Sequence, residues 1–159
     1  MPAHARLLPR MLRVRCQANV TIDAKGRLAL PAPLRRALEE AGERGLVCAY
    51  HKGAVWAWTV ADYEKRVEGP LAEADPFDAQ VMDFAHALLS TAQDVELDGQ
   101  GRIRIPPRLR ELAGLDKDAV VHSIVDRIEI WDKETWEQRF QQALERTADR
   151  SGMPGGRQP

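Results

Sequence analysis

Asp23-Ala-Lys-Gly26-Arg27-Leu-Ala-Leu-Pro31-Ala-Pro-Leu-Arg35 recurs 75 positions later as Asp98-Gly-Gln-Gly101-Arg102-Ile-Arg-Ile-Pro106-Pro-Arg-Leu-Arg110. Asp, Gly, Arg, Pro, Leu and a second Arg keep identical spacing, so the chain is an internal duplication and any fold assigned to it must be built twice. In the first copy Val20 and Ile22 alternate with Asn19 and Thr21, a turn follows at 23–26, and Leu28 and Leu30 alternate with Arg27 and Ala29. This pattern predicts a β-hairpin with a four-residue loop in which Gly26 takes the positive φ. Val95, Leu97, Ile103 and Ile105 repeat it around Gly101. Pro31 and Pro106 stop the strands, and Leu34 with Leu38, or Leu109 with Leu112, begin a short helix. If the alternating Leu and Ile face a core, Arg27, Arg102 and Arg104 face outward, beside the turns.

The duplication extends past the helices. Trp58-Thr-Val-Ala-Asp-Tyr63 corresponds to Trp131-Asp-Lys-Glu-Thr-Trp136 at an offset of 73. Each copy reads as hairpin, short helix, strand pair and closing helix. A unit of about 45–50 residues is small for a core of its own, and two stacked about a pseudo-twofold axis supply one. The expected organisation is a flexible basic arm at 1–13 (or residues upstream of a start at Met11), a first repeat at 14–68, and a linker with a central helix at 69–90. A second repeat with its closing helix follows at 91–146, and a flexible tail at 147–159.

Within the repeats, Leu46–Tyr50 and Ala54–Trp58 predict strands turned at His51-Lys-Gly53. Val120-Val121 and Ile128–Ile130 predict the matching pair, turned at Asp126-Arg127. Ala61–Val67 predicts a short helix ending before Gly69-Pro70. Asp75-Pro76 predicts the start of the central helix, whose Phe77, Val81, Phe84 and Leu88 form one apolar stripe bridging the halves. A last helix from near Asp132 carries Trp136, Phe140 and Leu144 on one face.

Net charge is −1 over 159 residues, which taken alone disfavours a polyanionic partner. Its distribution reverses that reading. Residues 1–36 hold eight Lys/Arg against Asp23 alone, residues 37–96 hold four against twelve Asp/Glu, and 98–110 hold four Arg against Asp98. Positive charge gathers on the repeated motif, which can give a basic face to a near-neutral protein. No apolar run approaches the ~20 residues of a membrane span, and no secretory leader is evident. Cys16 and Cys48 lack metal-binding or redox spacing and read as plain thiols in a reducing cytoplasm. His4, His51, His86 and His122 are scattered. No zinc, P-loop, dinucleotide or Ser/His/Asp pattern occurs, so no enzyme activity, cofactor or metal is expected. Asp23 and Asp98 read as turn caps that accept backbone N–H bonds, or as partners of the Arg four residues on.

The doubled Asp-x-x-Gly-Arg-x-x-x-Pro-x-x-x-Arg, the Ile128-Glu-Ile-Trp-Asp132 strand end and Trp136 resemble the MraZ family of bacterial transcriptional regulators, over about residues 14–140. The resemblance implies a β-rich α+β fold of two AbrB-like swapped hairpins in one chain, a pseudo-twofold split or double-ψ-like barrel with flanking helices. It also implies ring-shaped homo-oligomers that bind double-stranded DNA at short direct repeats upstream of their own division and cell-wall operon, in the cytoplasm at the nucleoid. Arg27 and Arg102 would be the DNA-contacting residues, assisted by Lys25 and supported by Asp23, Gly26, Asp98 and Gly101. Arg35, Arg104 and Arg110 are secondary candidates, with a structural role at the helix start favoured for Arg35 and Arg110. Trp56, Trp58, Trp131 and Trp136 are expected in the core or at subunit contacts. The chain departs from the family pattern at Val14-Arg15-Cys16, where Phe-x-Gly is usual, at Met82, Asp83 and His86, and at Ser123. The alternative function is a protein-binding scaffold or antitoxin-like partner built on the same fold.

Overall fold

In the computed structural model, which describes residues 14–148, the two hairpins exchange strands, and a single bridge, Leu97 with Ile103, is what the second keeps to itself. The strands are β1 (Gln17–Thr21), β2 (Arg27–Ala29), β3 (Gly45–His51), β4 (Ala54–Trp58), β5 (Gln93–Glu96), β6 (Arg102–Arg104), β7 (Asp118–Ile124) and β8 (Arg127–Asp132). Strand β1 pairs with β7 of the second repeat, β5 pairs with β3 of the first, and β2 pairs with β6. Each hairpin thus keeps its turn but gives both strands to the other half. The alternation correctly marks the strands, but a period-2 pattern names no partner. In the first copy the remnant of the expected hairpin is the turn, closed by Asp23 N–H donating to the Arg27 carbonyl at 2.9 Å and Gly26 N–H to the Asp23 carbonyl at 2.9 Å.

The result is a six-stranded antiparallel sheet, β1-β7-β8-β4-β3-β5, and a separate two-stranded ribbon, β2-β6. The ladders do not close into a barrel among the described residues. Register preserves the duplication: Val20 pairs with Ala119 as Val95 pairs with Leu46, and Val47 pairs with Trp58 as Val120 pairs with Trp131. The main core lies between ribbon and sheet. Leu28, Leu30, Ile103 and Ile105 meet Leu46, Val55, Val121, Ile128 and Ile130, with Leu34, Leu38 and Leu109 closing the sides. Val47, Ala49 and Trp58 face the other side of the sheet and build a second, smaller core with Tyr63, Val67 and Leu88. A strand buried on both faces loses its alternation, and this is why 46–50 reads as a continuous apolar run.

The helices are α1 (Ala32–Glu40), α2 (Val60–Tyr63), α3 (Gly69–Glu73), α4 (Ala79–Leu89), α5 (Pro107–Leu112) and α6 (Lys133–Ala148). The helix expected to end before Gly69-Pro70 continues through it, by a π-helical turn at Glu64–Glu68 that joins α2 to α3. Gly69 N–H reaches back to the Glu64 carbonyl, and a five-residue step of this kind accommodates Pro70, which has no N–H to give. The central helix starts later than Asp75-Pro76. Asp75 accepts the Phe77 N–H in a turn, and Asp78 is the cap, accepting N–H bonds from Gln80 and Val81. Its stripe is also less buried than expected: Leu88 is buried, Phe84 is 42% exposed and Phe77 is 93% exposed. α4 lies on β3 of the first repeat, so the stripe serves that half and does not bridge the two. Leu112 is likewise exposed, and Ala113, the counterpart of Leu38, packs in its place.

Asp132 caps α6 through Thr135 as expected, and α6 continues through Thr147 and Ala148. The expected arm at 1–13 and the tail beyond 148 lie outside the described residues. Cys48 is fully buried and its thiol is pushed up to about 12, first by burial and then by Asp94. Cys16 is half-buried. Lys52 and Gly53 turn the first strand pair with φ of 48° and 93°, whereas the second turns at Val125-Asp126 and Arg127 already belongs to β8.

Val125 is exposed, β-branched and held at φ 44°, a backbone region that such side chains resist. Val125→Asn should therefore stabilise the fold by about 1 kcal/mol. Followed by circular dichroism, this would raise the melting temperature by about 2–4 °C.

Candidate nucleic-acid interface

The ribbon exists because each hairpin turn is locked by one aspartate. Asp23 Oδ1 accepts the N–H groups of Lys25 and Arg27, both at 2.9 Å, and Oδ2 accepts Arg27 Nε at 2.8 Å. Asp98 does the same with Gln100 N–H at 2.8 Å, Arg102 N–H at 2.9 Å and Arg102 Nε at 2.8 Å. Both sequence readings of these aspartates, turn cap and arginine partner, hold at once. The carboxyls sit below their ordinary value because the backbone N–H of Arg27 or Arg102 favours the charged form, with the guanidinium adding to it.

Gly26 and Gly101 take φ of 79° and 71°. At both positions conformation disfavours a side chain, and at Gly101 space excludes one as well. A methyl on Gly26 would meet Arg110 Nη1, and one on Gly101 would meet the aliphatic stem of Arg35. The two helix arginines therefore cross to the opposite repeat. Arg35 Nη1 donates to the Gln100 carbonyl at 3.3 Å, and Arg110 lies over the first turn. Backbone bonds follow the same exchange: Leu30 N–H donates to the Gly101 carbonyl and Ile105 N–H to that of Gly26. Arg35 and Arg110 are half-buried, each packed against the other repeat's turn.

Arg27 pairs with Arg104, Leu28 with Ile103, and Ala29 with Arg102. Leu28 and Ile103 are buried, so Arg27, Ala29, Arg102 and Arg104 share the outward face. Arg104 is exposed, and Arg27 and Arg102 are partly exposed, their side chains 33% and 29% accessible. Like charges directly opposite in a ladder repel. Asp23 offsets that repulsion by holding Arg27 through Nε. Lys25 is exposed at the first turn, where the second copy has Gln100. The structure thus brings Lys25, Arg27, Arg102 and Arg104 onto one ribbon. The cross-strand pairing of Arg27 with Arg104 could not be read from sequence, because it follows from the exchange of hairpins.

A second charged group was not anticipated. Glu129 is 4% exposed in β8. Its Oε1 accepts from Arg127 and its Oε2 from Trp131 Nε1 at 2.9 Å, with His122 Nε2 3.2 Å away. Burial would raise the Glu129 carboxyl, but His122, Trp131 and Arg127 outweigh it and hold it below its ordinary value. The Arg127 guanidinium also lies 3.6 Å from the centre of the Trp56 ring. The signal available in sequence was the Arg127-Ile-Glu-Ile-Trp131 alternation, which puts a carboxylate on the same face as a tryptophan. The described residues contain no cluster of His, Cys, Asp and Glu able to hold a metal ion, and none of their helices is long and apolar enough to cross a membrane.

Two copies of one motif, exchanged so that their turns flank a basic two-stranded ribbon, define a tandem swapped-hairpin protein. The family model described as "MraZ protein, putative antitoxin-like" matches residues 15–80 and 88–152, one match per repeat. Proteins called Transcriptional regulator MraZ are similar over most of this chain. The one from Thioalkalivibrio sulfidiphilus is 39% identical over 75% of this chain and 79% of its own length. That from Hydrogenovibrio crunogenus is 35% identical over 80% and 84%, and that from Acetivibrio thermocellus 35% over 74% and 79%. The chain belongs to the MraZ family.

A carboxyl depressed by native contacts stabilises the fold above its unfolded pKa, and that contribution is lost as pH falls through the lower folded value. Asp23 and Asp98 should therefore titrate below 3.8 in carboxyl-detected NMR, and the turns should stay closed at neutral pH. In Arg27→Ala the Asp23 midpoint should rise toward 3.8 without reaching it, because the backbone donors remain, while Asp98 stays where it was.

Proposed function

We propose that this chain is a sequence-specific DNA-binding regulator of transcription. It binds short direct repeats in its own promoter region, ahead of a division and cell-wall gene cluster, as a ring-like homo-oligomer at the nucleoid. The observation that carries this reading is the ribbon itself. A two-stranded antiparallel ribbon fits the major groove of B-DNA, and an arginine aimed outward from it can contact guanine O6 and N7 with two N–H donors. Asp23 and Asp98 hold their arginines through Nε, so the Nη pair is pre-oriented and little rotamer freedom is lost on contact.

The two motif arginines stand at diagonal corners of the ribbon. Two residues along a strand span roughly 7 Å, so Arg27 and Arg102 would address bases about two steps apart, at 3.4 Å per step. Arg104 and Lys25 flank them and suit phosphate contacts. Their counterparts by the repeat are Ala29 and Gln100. The motif arginines are pseudo-symmetric while their flanks are not, so one chain gives its site a direction. Directional half-sites suit direct repeats read by several copies side by side, with avidity set by their spacing. The relatives' name as transcriptional regulators supports the same reading.

The test is a fluorescence-anisotropy titration with DNA from upstream of the gene and a scrambled control. Arg27→Ala should weaken binding to the upstream DNA about 10–100-fold, the loss of one two-donor contact. Arg27→Ala/Arg102→Ala should bring it down to the control, with circular dichroism unchanged. Binding should also fall steeply with added salt as counterions are released. Equal, salt-insensitive binding to both DNAs would overturn the reading in favour of a protein-binding scaffold.

A further inference from the structure

The repeats differ in how they treat the outer face of the sheet. In the first, Val47, Ala49, Trp58, Tyr63 and Val67 lie under α4, whose Leu88 is 2% exposed. At the repeat offset of 73 the same positions hold Val120, His122, Trp131, Trp136 and Phe140, with Leu144 answering Leu71. Register shows that the equivalence is structural: Ala49 pairs with Trp56 as His122 pairs with Glu129. The second copy has its sheet face and closing helix, but among the described residues nothing stands where α4 stands in the first. Val67 is 7% exposed, whereas Phe140 is 49% and Leu144 47%. Trp136 stacks on Phe140 with ring centroids 5.8 Å apart and closes on Trp131, beside a groove of about 350 Å³.

We infer that this aromatic groove of the second repeat is covered by the exposed N-terminal end of α4, with Phe77 and Phe84, from a second copy of the chain, so that copies join head to tail. This rests on the self-assembly in the proposed function and locates its interface. Three observations favour this occupant. A helix of this same sequence already covers the equivalent face in the first repeat. The apolar stripe of that helix is left open toward its N-terminal end: Phe77, just ahead of it, and Phe84 are exposed, beside a notch of about 310 Å³ lined by Leu71 and Val81 with Arg66. Charges are also complementary. Residues 73–84 include Glu73, Asp75, Asp78 and Asp83 and no Lys or Arg, while the groove is lined by Lys52, Arg127 and Arg139. Arg127 is occupied by Glu129 and Asp126, which leaves Lys52 and Arg139 to meet the acids. Glu134 and Glu137 of α6 line a different surface, with Asp116 and Asp118.

The chain's own termini fit less well. Residues 149–159 carry Met153 as their one sizeable apolar side chain, and residues 1–13 carry Arg6, Arg10 and Arg13 toward a groove that is already basic. The two proposed surfaces lie on different parts of the molecule, so the contact is heterologous. Successive heterologous contacts close into a ring when the rotation permits.

Two full-length variants test this by sedimentation equilibrium, each checked for wild-type circular dichroism. Phe77→Lys/Asp83→Lys spoils the α4 face through exposed residues only, and Phe140→Glu/Leu144→Glu spoils the groove. Wild type should be an assembly, and each variant should run as a 17.8 kDa monomer. An equimolar mixture of the two should give a dimer of about twice that mass and nothing larger, because one intact groove and one intact face remain between them. Wild-type mass for either folded variant, a monomeric wild type, or a mixture that stays monomeric would overturn the inference. So would full-length Leu8→Asp/Leu12→Asp falling to a monomer while the α4 variant stays assembled, which would make the arm the occupant. Arg27→Ala/Arg102→Ala should keep wild-type mass, so failure of the DNA-binding proposal is read separately from failure of this one.

Discussion

Leu28 facing Ile103 across the ribbon is the contact on which the rest depends. These two residues are 1% and 0% exposed, and they come from hairpins 75 positions apart. Neither hairpin has a sheet of its own to lie against, because its first strand has gone to the edge of the other repeat. Each half therefore lacks the main core until the other is present. The exchange makes the ribbon's pairing non-local, and the loop that must close is long. Closure entropy grows only slowly with length, however, so the non-local pairing costs more in folding rate than in stability. The arrangement also puts both turns at the rim of one ribbon, where a tandem chain without exchange would have two separate hairpins.

The same exchange decides what the arginines of the motif do. In a closed hairpin Arg35 and Arg110 would stand over their own turns. Here each reaches the other repeat's turn, filling the space that Gly101 and Gly26 leave open. Two roles are thus separated by geometry within one motif. The arginine following the glycine is held by Asp through Nε and faces outward, and the arginine on the helix is packed against backbone. That division explains why an Asp, a Gly and two Arg recur together at fixed spacing in both copies.

Much of this was legible in the sequence, and what escaped did so for identifiable reasons. Alternation around Asp23-Gly26 and Asp98-Gly101 located four strands and the outward arginines, because side-chain period is a local property. Partner choice is not local, so the hairpins read as self-paired and the Arg27–Arg104 neighbourhood was invisible. From sequence, Gly69-Pro70 reads as a helix stop, since an α-helical ladder breaks there; a π-helical turn upstream lets the chain continue. The stripe Phe77, Val81, Phe84 and Leu88 was read as core because apolar periodicity signals burial against something, and only Leu88 finds it within the chain. The candidate site was largely readable since it depends on one turn chemistry repeated. The Glu129 cluster was not, because its partners Arg127, Trp131, His122 and Trp56 converge from three strands.

That cluster lies where the pseudo-twofold symmetry is broken. Trp56 and Glu129 are equivalent positions and pair with each other across β4 and β8, so they sit beside the pseudo-axis. Identical residues there would bring two bulky side chains, or two carboxylates, face to face. The chain has one of each, and Arg127 stands where the first repeat has Ala54. Its guanidinium binds Glu129 and lies on the Trp56 ring, so one cation satisfies the carboxylate and the aromatic face together. A homodimer of single hairpin units cannot adopt this solution, because its axis forces equal residues on both sides. Fusing the repeats into one chain removes that constraint. It leaves one half free to keep its α4 cover while the other exposes Trp136, Phe140 and Leu144, and it lets the basic ribbon carry Arg104 and Lys25 at one position of each equivalent pair.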